Sequence, residues 1–498
     1  MPLDINFVRS SPDVVRGWQA ARFKPEGLVD AVLEIDAEWR TLGNDLNEQN
    51  RLKKELSKKC KTLRKAKEDA TAVIEESKAN SKTTALLKTK LAECAAARAK
   101  AMTKLGNEVH PDTPVSQDED ADNAITSSFK TDDLRIMAEG DRAGETMLNH
   151  KDVLLKLGGM DMERGVKVAG HRAYFLKDVG VMLNMAIQKY AIDFLRKKEY
   201  TLLQTPYFMK KEIMAEVAQL SEFDEALYHV QGEGDSEFYL IATSEQPICG
   251  MHRGEFIPPK TLPKRYAGLS TNFRKESGSH GRDTWGIFRV HQFEKVEQFA
   301  VCKPENSWEM QKEMIGTAES FYKSLGLSYI VVDIVTGALN DSAARKFDLE
   351  AWFPSYNAYR ELVSCSNCLE FQSRAIGCHM GKDPATKKTK HVHMLNATLS
   401  ATTRTLCCII ENYQTADGVT IPDVLVPYMG GLTFIPWKVD GQSNILPPTV
   451  AAAAPPAPTG GDEVSFCQSL FLSTLDGYYV PHLCAVPPPY TFPNVTSS

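Results

Sequence analysis

From residue 28 onward apolar positions recur at alternating steps of four and three: Leu28, Val32, Ile35, Trp39, Leu42 and Leu46. Such spacing marks a helix with one narrow seam, suited to a single partner helix and not to a broad core. Leu52, Leu56, Cys60 and Leu63 continue the seam with a slip in register. Leu87, Leu91, Cys94, Ala101 and Leu105 repeat it, with Arg98 interrupting the stripe. Neither run contains proline, and Gly43 is the only internal glycine. The pattern predicts two long helices, joined near residues 66–82 and folded back as an antiparallel hairpin over about residues 28–106. At about 1.5 Å per residue the first helix would reach roughly 50–60 Å, so the hairpin should project from the rest of the chain.

The pattern then breaks. Residues 107–127 hold Pro111, Pro114 and the acids Asp118, Glu119, Asp120 and Asp122, which predicts a surface linker closing an N-terminal domain of residues 1–127. Residues 128–438 mix short strand-like runs (Phe238–Ile241, Ile287–Val290, His391–Leu395) with helices of ordinary length. One helix is expected at 177–198, with Leu183, Ile187, Tyr190 and Phe194 on one face, leading into a strand at Thr201–Thr205 that Pro206 closes. This mixture predicts an α+β domain with a mainly antiparallel sheet flanked by helices. Residues 439–498 form a tail with a low-complexity Pro/Ala spacer (Pro447–Gly461) and an end rich in proline and aromatics. Disorder, loose packing and a binding role all remain open for it.

Composition narrows the classes. A chain of 498 residues is long enough for two or three domains. With 58 Lys and Arg against 64 Asp and Glu, the net charge of −6 excludes a uniformly basic nucleic-acid coat. The basic charge is local: between Arg51 and Lys67 stand Lys53, Lys54, Lys58, Lys59, Lys61, Arg64 and Lys65 against the single acid Glu55. That run is either a solvated helix face or, on an exposed lever, a surface for phosphate backbones. No apolar stretch approaches a membrane span. The opening residues carry Asp4 and Asp13 without an apolar core, and read as neither signal nor transit peptide. The 11 cysteines read as intracellular thiols.

There is no GxxxxGK[ST] loop and no Rossmann glycine fingerprint, so a nucleotide enzyme built from this chain must hold phosphates with arginines and acid-bound magnesium. Thr271–Glu276 and Trp285–Glu297 look like two strands joined by the polar, glycine-containing loop Ser277–Thr284. At period two Arg274 and Glu276 would share one face, as would Arg289, His291, Phe293, Lys295 and Glu297. A surface lined with arginine, glutamate and an aromatic ring has the makings of an ATP bed. Thr243-Ser244-Glu245 places hydroxyls beside a carboxylate. Asn396–Arg404 reads as a tight strand-to-helix turn, where Arg404 near a helix start would call for an anion.

These segments, in this order, resemble the signatures of class II aminoacyl-tRNA synthetases. The helix and strand ending at Pro206 resemble the first, Phe273–Glu276 through Phe288-Arg289 the second, and Asn396–Arg404 the third. More specific wording resembles the seryl-tRNA synthetases of the eukaryotic cytosolic kind. It comprises Ala242-Thr243-Ser244-Glu245-Gln246, Gly278–Asp283, Val290–Lys295, Phe347–Pro354, Glu361–Cys368 and Glu411–Gln414. The similarity extends over about residues 1–438, hairpin included.

The resemblance implies a cytoplasmic homodimer that ligates L-serine to tRNA(Ser), and to tRNA(Sec) where the host has one, through a seryl-adenylate, using ATP and Mg2+ and no membrane. It implies Arg274 on the α-phosphate and the serine carboxylate, Arg404 on the γ-phosphate, and Arg289 among the ATP-binding residues. Glu276 would accept from the adenine amino group and Phe293 would stack under the ring. Glu361 and Ser364 would hold Mg2+. Thr243 and Glu297 would take the serine ammonium, with Asn396 and Thr398 around the substrate end. The hairpin residues Lys54, Lys58, Lys59, Lys61, Arg64 and Lys65 would contact tRNA. Cys365 and Cys368, with Cys378, His379, His391 and His393, are irregularly spaced for zinc, and no structural zinc is expected. One departure stands out: Ala375 and His379 occupy positions where the family carries arginines. It keeps alive a catalytically silent RNA-binding protein, beside a ligase that adenylates another small acid.

Overall fold

The fold is a computed structural model that describes residues 2–132, 147–218, 226–276 and 286–438. The tail from residue 439 and the loop 277–285 lie outside these residues, as do the expectations that fall on them. Two short helices begin the chain. Asp4 caps α1 (Ile5–Ser10) by accepting from Asn6 N, and Pro12 opens α2 (Pro12–Ala21). Next come the long helices α3 (Leu28–Ala66) and α4 (Thr71–Met102), packed as a hairpin. The 39 residues of α3 span roughly 58 Å. The turn is shorter than the sequence predicts: Lys67 adopts φ 60°, and α4 starts at Thr71. The first turns of α4 went unread because their buried positions, Asn80 and Thr84, are polar. The Asn80 side chain donates to Gln49 Oε1 at 2.7 Å across the seam.

Arg98 interrupts the apolar stripe for a reason. The Asp36 carboxylate is fully buried and accepts from Arg98 Nη1 and Arg9 Nη2, each at 2.7 Å. The Arg98 guanidinium lies 4.0 Å over the Trp39 ring. At the hairpin base, buried Arg22 donates to the Asn107 carbonyl at 3.1 Å and the Asn340 carbonyl at 3.3 Å, and Lys24 pairs with Asp341 at 2.6 Å. These contacts fasten the opening segment to a loop beside the main sheet.

That sheet has eight strands, numbered here in chain order: β1 (Ala124–Phe129), β2 (Thr201–Gln204), β3 (Lys264–Phe273), β4 (Gln292–Cys302), β5 (Tyr329–Asp333), β6 (Arg345–Phe353), β7 (Ala358–Asn367) and β8 (His393–Ala401). Their spatial order is β1-β5-β6-β7-β8-β4-β3-β2, antiparallel throughout except for the β2–β3 pair. The end of the anticipated surface linker is therefore an edge strand, since β1 pairs with β5. The helices α5 (Val179–Arg196), α6 (Ser307–Ser324) and α7 (Thr402–Asn412) bury Ile187, Phe321 and Ile409 in the principal core. Along β4 the residues Val296, Ala300 and Cys302 join that core, while Phe299 and Val301 join a second cluster with Ile248 and Met394, as strand alternation requires. Among the described residues no helix is long and apolar enough to cross a membrane.

Burial alone would raise the Asp36 carboxyl, but the bonds from Arg9 and Arg98 hold it below the usual carboxylate range. Its contribution to stability is complete above about pH 4 and is lost as pH falls through the lowered native value. Asp36→Asn should cost about 2–3 kcal/mol at neutral pH, read as a lower urea midpoint, because it leaves Arg9, Arg40 and Arg98 facing a neutral amide.

Candidate active site

The ends of β3 and β4, the pair β6–β7, β8 and the first turn of α7 converge on one cavity of about 260 Å³, closed by the segment at Thr243. All eleven residues read from the sequence as substrate or magnesium ligands line it: Thr243, Arg274, Glu276, Arg289, Phe293, Glu297, Glu361, Ser364, Asn396, Thr398 and Arg404.

Glu297, 2% exposed, is the most buried acid of this group. Its carboxylate contacts the Lys295 ammonium, and Thr398 Oγ1 donates to it at 3.4 Å. Lys295 Nζ also donates to Thr243 Oγ1 at 2.9 Å. An irregularity at Leu399 sets Thr398 opposite Glu297 while Ser400 faces Val296. On the other side of β4, Gly268 pairs with Glu297. A Cβ at Gly268 would lie 2.5 Å from Ser244 Oγ, so only glycine lets the 243–245 segment rest against the sheet. Asn396 Nδ2 and Gln372 Nε2 both donate to Glu245 Oε1, at 2.9 and 2.6 Å.

A second group surrounds Arg404. Its guanidinium donates to the Phe288 carbonyl at 3.2 Å and to Glu361 Oε2 at 3.3 Å, and lies 4.8 Å over the Phe288 ring. The protein crowded around Glu361, whose side chain is still about half exposed, would raise its carboxyl, yet Arg404, Lys346 and Arg274 hold it below its ordinary value. Ser364 Oγ donates to Asp348 Oδ1 at 2.7 Å. The Asp348 carboxyl is pushed up to about 7, by burial first and by Glu361 and Glu350 nearby, against the opposing pull of Lys346. Arg274 donates to the Ala242 carbonyl at 3.3 Å and lies 5.4 Å over Phe293. Glu276 sits 3.7 Å from Arg289 Nε and 3.9 Å from Arg172 Nη1.

Asp348 and Arg172 are additions to the residues chosen from sequence, and Lys295, read there only as sharing a face with Phe293 and Glu297, acquires its partners here. Asp348, one of two acids in the apolar run Phe347–Phe353, was a visible signal; nothing around Arg172 marks it. Three local expectations change. Arg274 and Glu276 lie beyond the end of β3, and Glu276 has φ 50°, so period-two alternation does not place them. Ile287–Val290 is not a strand: Gly286 turns the chain at φ 64° and β4 starts at Gln292, so Arg289 reaches the site from an irregular segment, while His291 does not line the cavity and lies against the Arg274 carbonyl. Asn396 and Thr398 belong to β8 itself, and the turn into α7 comes only at Ala401–Thr402.

The cysteine and histidine group is dispersed. Cys365, Cys368 and Cys378 are buried, and burial pushes the Cys378 thiol up to about 12. His391 lies before β8 and meets the Cys378 carbonyl at 2.7 Å through Nδ1, while His393 Nδ1 is 2.9 Å from Ser307 Oγ. Among the described residues no three His, Cys, Asp or Glu side chains gather as a metal site. Ala375 ends the helix Phe371–Ala375 and lines a neighbouring cavity of about 530 Å³, and His379 lines neither cavity. On the hairpin Lys54, Lys58, Lys59, Lys61, Arg64 and Lys65 are all exposed. Lys61, Arg64 and Lys65 share a groove with Lys78 and Lys82 of α4.

An antiparallel sheet carrying an arginine-lined cavity, with strand-to-helix Arg404 at one wall, defines a class II aminoacyl-tRNA synthetase. Comparison with known proteins carries this further. Residues 228–413 match the tRNA synthetase class II core domain (G, H, P, S and T), and residues 2–109 match the seryl-tRNA synthetase N-terminal domain. The chain is 49% identical over 445 residues to the serine–tRNA ligase of Helianthus annuus, covering 87% of this chain and 98% of the relative. It is 49% identical over 453 residues to the cytoplasmic serine–tRNA ligase of Schizosaccharomyces pombe, covering 89% and 98%. The crystal structure of the cytoplasmic serine–tRNA ligase of Naegleria fowleri in complex with AMP superposes with a TM-score of 0.77 at 46% identity, over 88% of this chain and 99% of that one. That of the Pyrococcus horikoshii seryl-tRNA synthetase complexed with ATP gives 0.79 at 34%, over 88% and 100%. The chain belongs to the seryl-tRNA synthetases of class II, and it is a ligase that joins serine to tRNA using ATP.

Gly268→Ala should displace the 243–245 segment by at least about half an ångström, since the new Cβ would start 2.5 Å from Ser244 Oγ. The expected results are a stability loss of about 1–3 kcal/mol in thermal unfolding and a KM for serine raised more than that for ATP.

Proposed function

We propose that the cavity binds serine beside Thr243 and Glu297 and the triphosphate of ATP beside Arg404, with Arg274 serving both. The observation that supports this most is the position of Arg274: it bonds the carbonyl next to Thr243 and is close enough to Glu361 to lower that carboxyl. The serine carboxylate attacks the α-phosphorus of ATP and pyrophosphate leaves; a ribose hydroxyl of the tRNA 3′ end then attacks the activated carbonyl, the acyl–phosphate bond breaks and AMP leaves. Arg274 orients the nucleophile and offsets charge developing on the α-phosphate, Arg404 and Arg289 hold the leaving phosphates, and Phe293 supports the adenine. Glu276 accepts from the adenine amino group while retaining its arginine neighbours. Asn396 and Thr398 border the serine end, where a paired hydroxyl rejects analogues lacking one.

The donor set beside Arg404 fits a divalent cation. Glu361 and Ser364 line the same wall of the cavity, and with Asp348, which accepts from Ser364, they offer hard oxygen atoms. Mg2+ bound there would supply charge neutralisation to the phosphates. A homodimer is the proposed assembly. Met185 on α5 and Leu202 on β2 are apolar side chains left exposed on the helix and strand of the first signature, which supports this reading. The hairpin is proposed to bind tRNA(Ser), and tRNA(Sec) where present, through phosphate contacts of its basic tip. A cytoplasmic location rests on the relatives that carry that word in their names.

Exchange of pyrophosphate into ATP, with magnesium and serine beside threonine, alanine, glycine and cysteine, tests the proposal. Exchange with serine alone is expected, and its absence from a folded protein would overturn the reading. Arg404→Ala should lower exchange by about 100-fold or more while tRNA affinity stays nearly unchanged. Neutralising Lys58, Lys59 and Lys61 together should weaken tRNA binding and flatten its salt dependence by about one unit of slope per lysine, with exchange intact. Filter binding across a salt series reads this directly.

A further inference from the structure

The ammonium of Lys295 occupies the place that the substrate ammonium is proposed to take. It donates to Thr243 Oγ1 at 2.9 Å and contacts the Glu297 carboxylate, the same two groups assigned above to serine. Both side chains of the pair are nearly removed from solvent, 8% exposed for Lys295 and 2% for Glu297. The other cations nearby are engaged elsewhere: Lys346 stands 3.8 Å from Asp348, and Arg274 bonds the Ala242 carbonyl. Without a cation, the Glu297 carboxylate would be a buried charge with no counter-charge beside it.

We propose that Lys295 is a built-in counter-cation, seated on Thr243 and Glu297 in the empty enzyme and displaced by the α-ammonium of serine. This rests on the serine-pocket reading of the preceding section. The exchange replaces one ammonium by another at the same two acceptors, so no proton or electron moves and the charge at Glu297 stays balanced. The released Lys295 side chain turns into the 260 Å³ cavity that it already lines. The arrangement gives the Glu297 carboxylate a counter-charge and the Thr243 hydroxyl a donor before substrate arrives. It also sets part of the serine affinity against the loss of an internal ion pair, which makes Lys295 a residue that tunes recognition of the substrate amine.

Lys295→Met removes the competitor. Isothermal titration should then show serine binding about tenfold tighter than to the unmodified enzyme, and serine should raise the melting temperature of the variant by more. Affinity that is unchanged or weaker would overturn the exchange. A crystal structure of the unmodified enzyme with serine alone gives the second reading and needs no variant. Expected is the serine ammonium on Glu297 with Lys295 Nζ beyond hydrogen-bond reach. Serine on Glu297 with Lys295 still bonded there would overturn the exchange while leaving the pocket reading in place. Serine seated away from Glu297 would overturn the pocket reading and the exchange together.

Discussion

A carboxylate withdrawn from water must be matched by charge or hydrogen bonds, and the site follows from meeting that condition at Glu297. The residue stands within β4, flanked by β3 and β8 in the interior of the sheet. Lys295, two positions along the same face, supplies the cation, and the irregularity in β8 brings the Thr398 hydroxyl across. Gly268 on the other flank clears space for the segment that carries Thr243. The same logic recurs around the cavity: Glu361 faces Arg404, Asp348 faces Ser364 and Lys346, and Glu276 faces two arginines. Acids already matched in the empty protein can exchange partners with a zwitterion and a polyphosphate without leaving any charge stranded, which is how a preorganised site lowers the cost of reaction.

The hairpin meets the same condition at its base and avoids it at its tip. Near the base, Asp36 gathers arginines from α1 and α4 and so fixes the opening helices to both long ones. Arg22 and Lys24 then tie that assembly to the loop at residues 340–343, whose Asn340 lines the cavity. Farther out the charges are exposed and mostly basic, with Glu55, Glu68, Asp69, Glu75 and Glu76 as the acids among them. A chain of net charge −6 thereby still presents a concentrated basic stretch on its helical arm.

Much of this was readable in the chain. Heptad spacing revealed the hairpin because a narrow seam needs a strict repeat. It failed at the start of α4, where Asn80 and Thr84 fill seam positions with hydrogen bonds in place of apolar contact. Alternation revealed the antiparallel domain but misplaced Arg274, Glu276 and Arg289, since alternation holds only inside a strand and all three lie just beyond one. The family wording identified eleven residues that share the cavity; it contains Lys295 and Asp348 but implies no role for them, because their importance lies in their partners.

By itself the sequence determined the helical arm, its basic tip, the α+β class and the set of residues whose chemistry suits ATP and serine, because each of these is a local pattern or a distinctive run of side chains. The tertiary structure alone decided which charges meet. Asp36 finds Arg98 across 62 residues, Thr243 finds Lys295 across 52 and Glu361 finds Arg404 across 43. Those pairings depend on strand register, on a single irregularity in β8 and on which side chains burial removes from water, and none of these is set by the residues nearest in sequence.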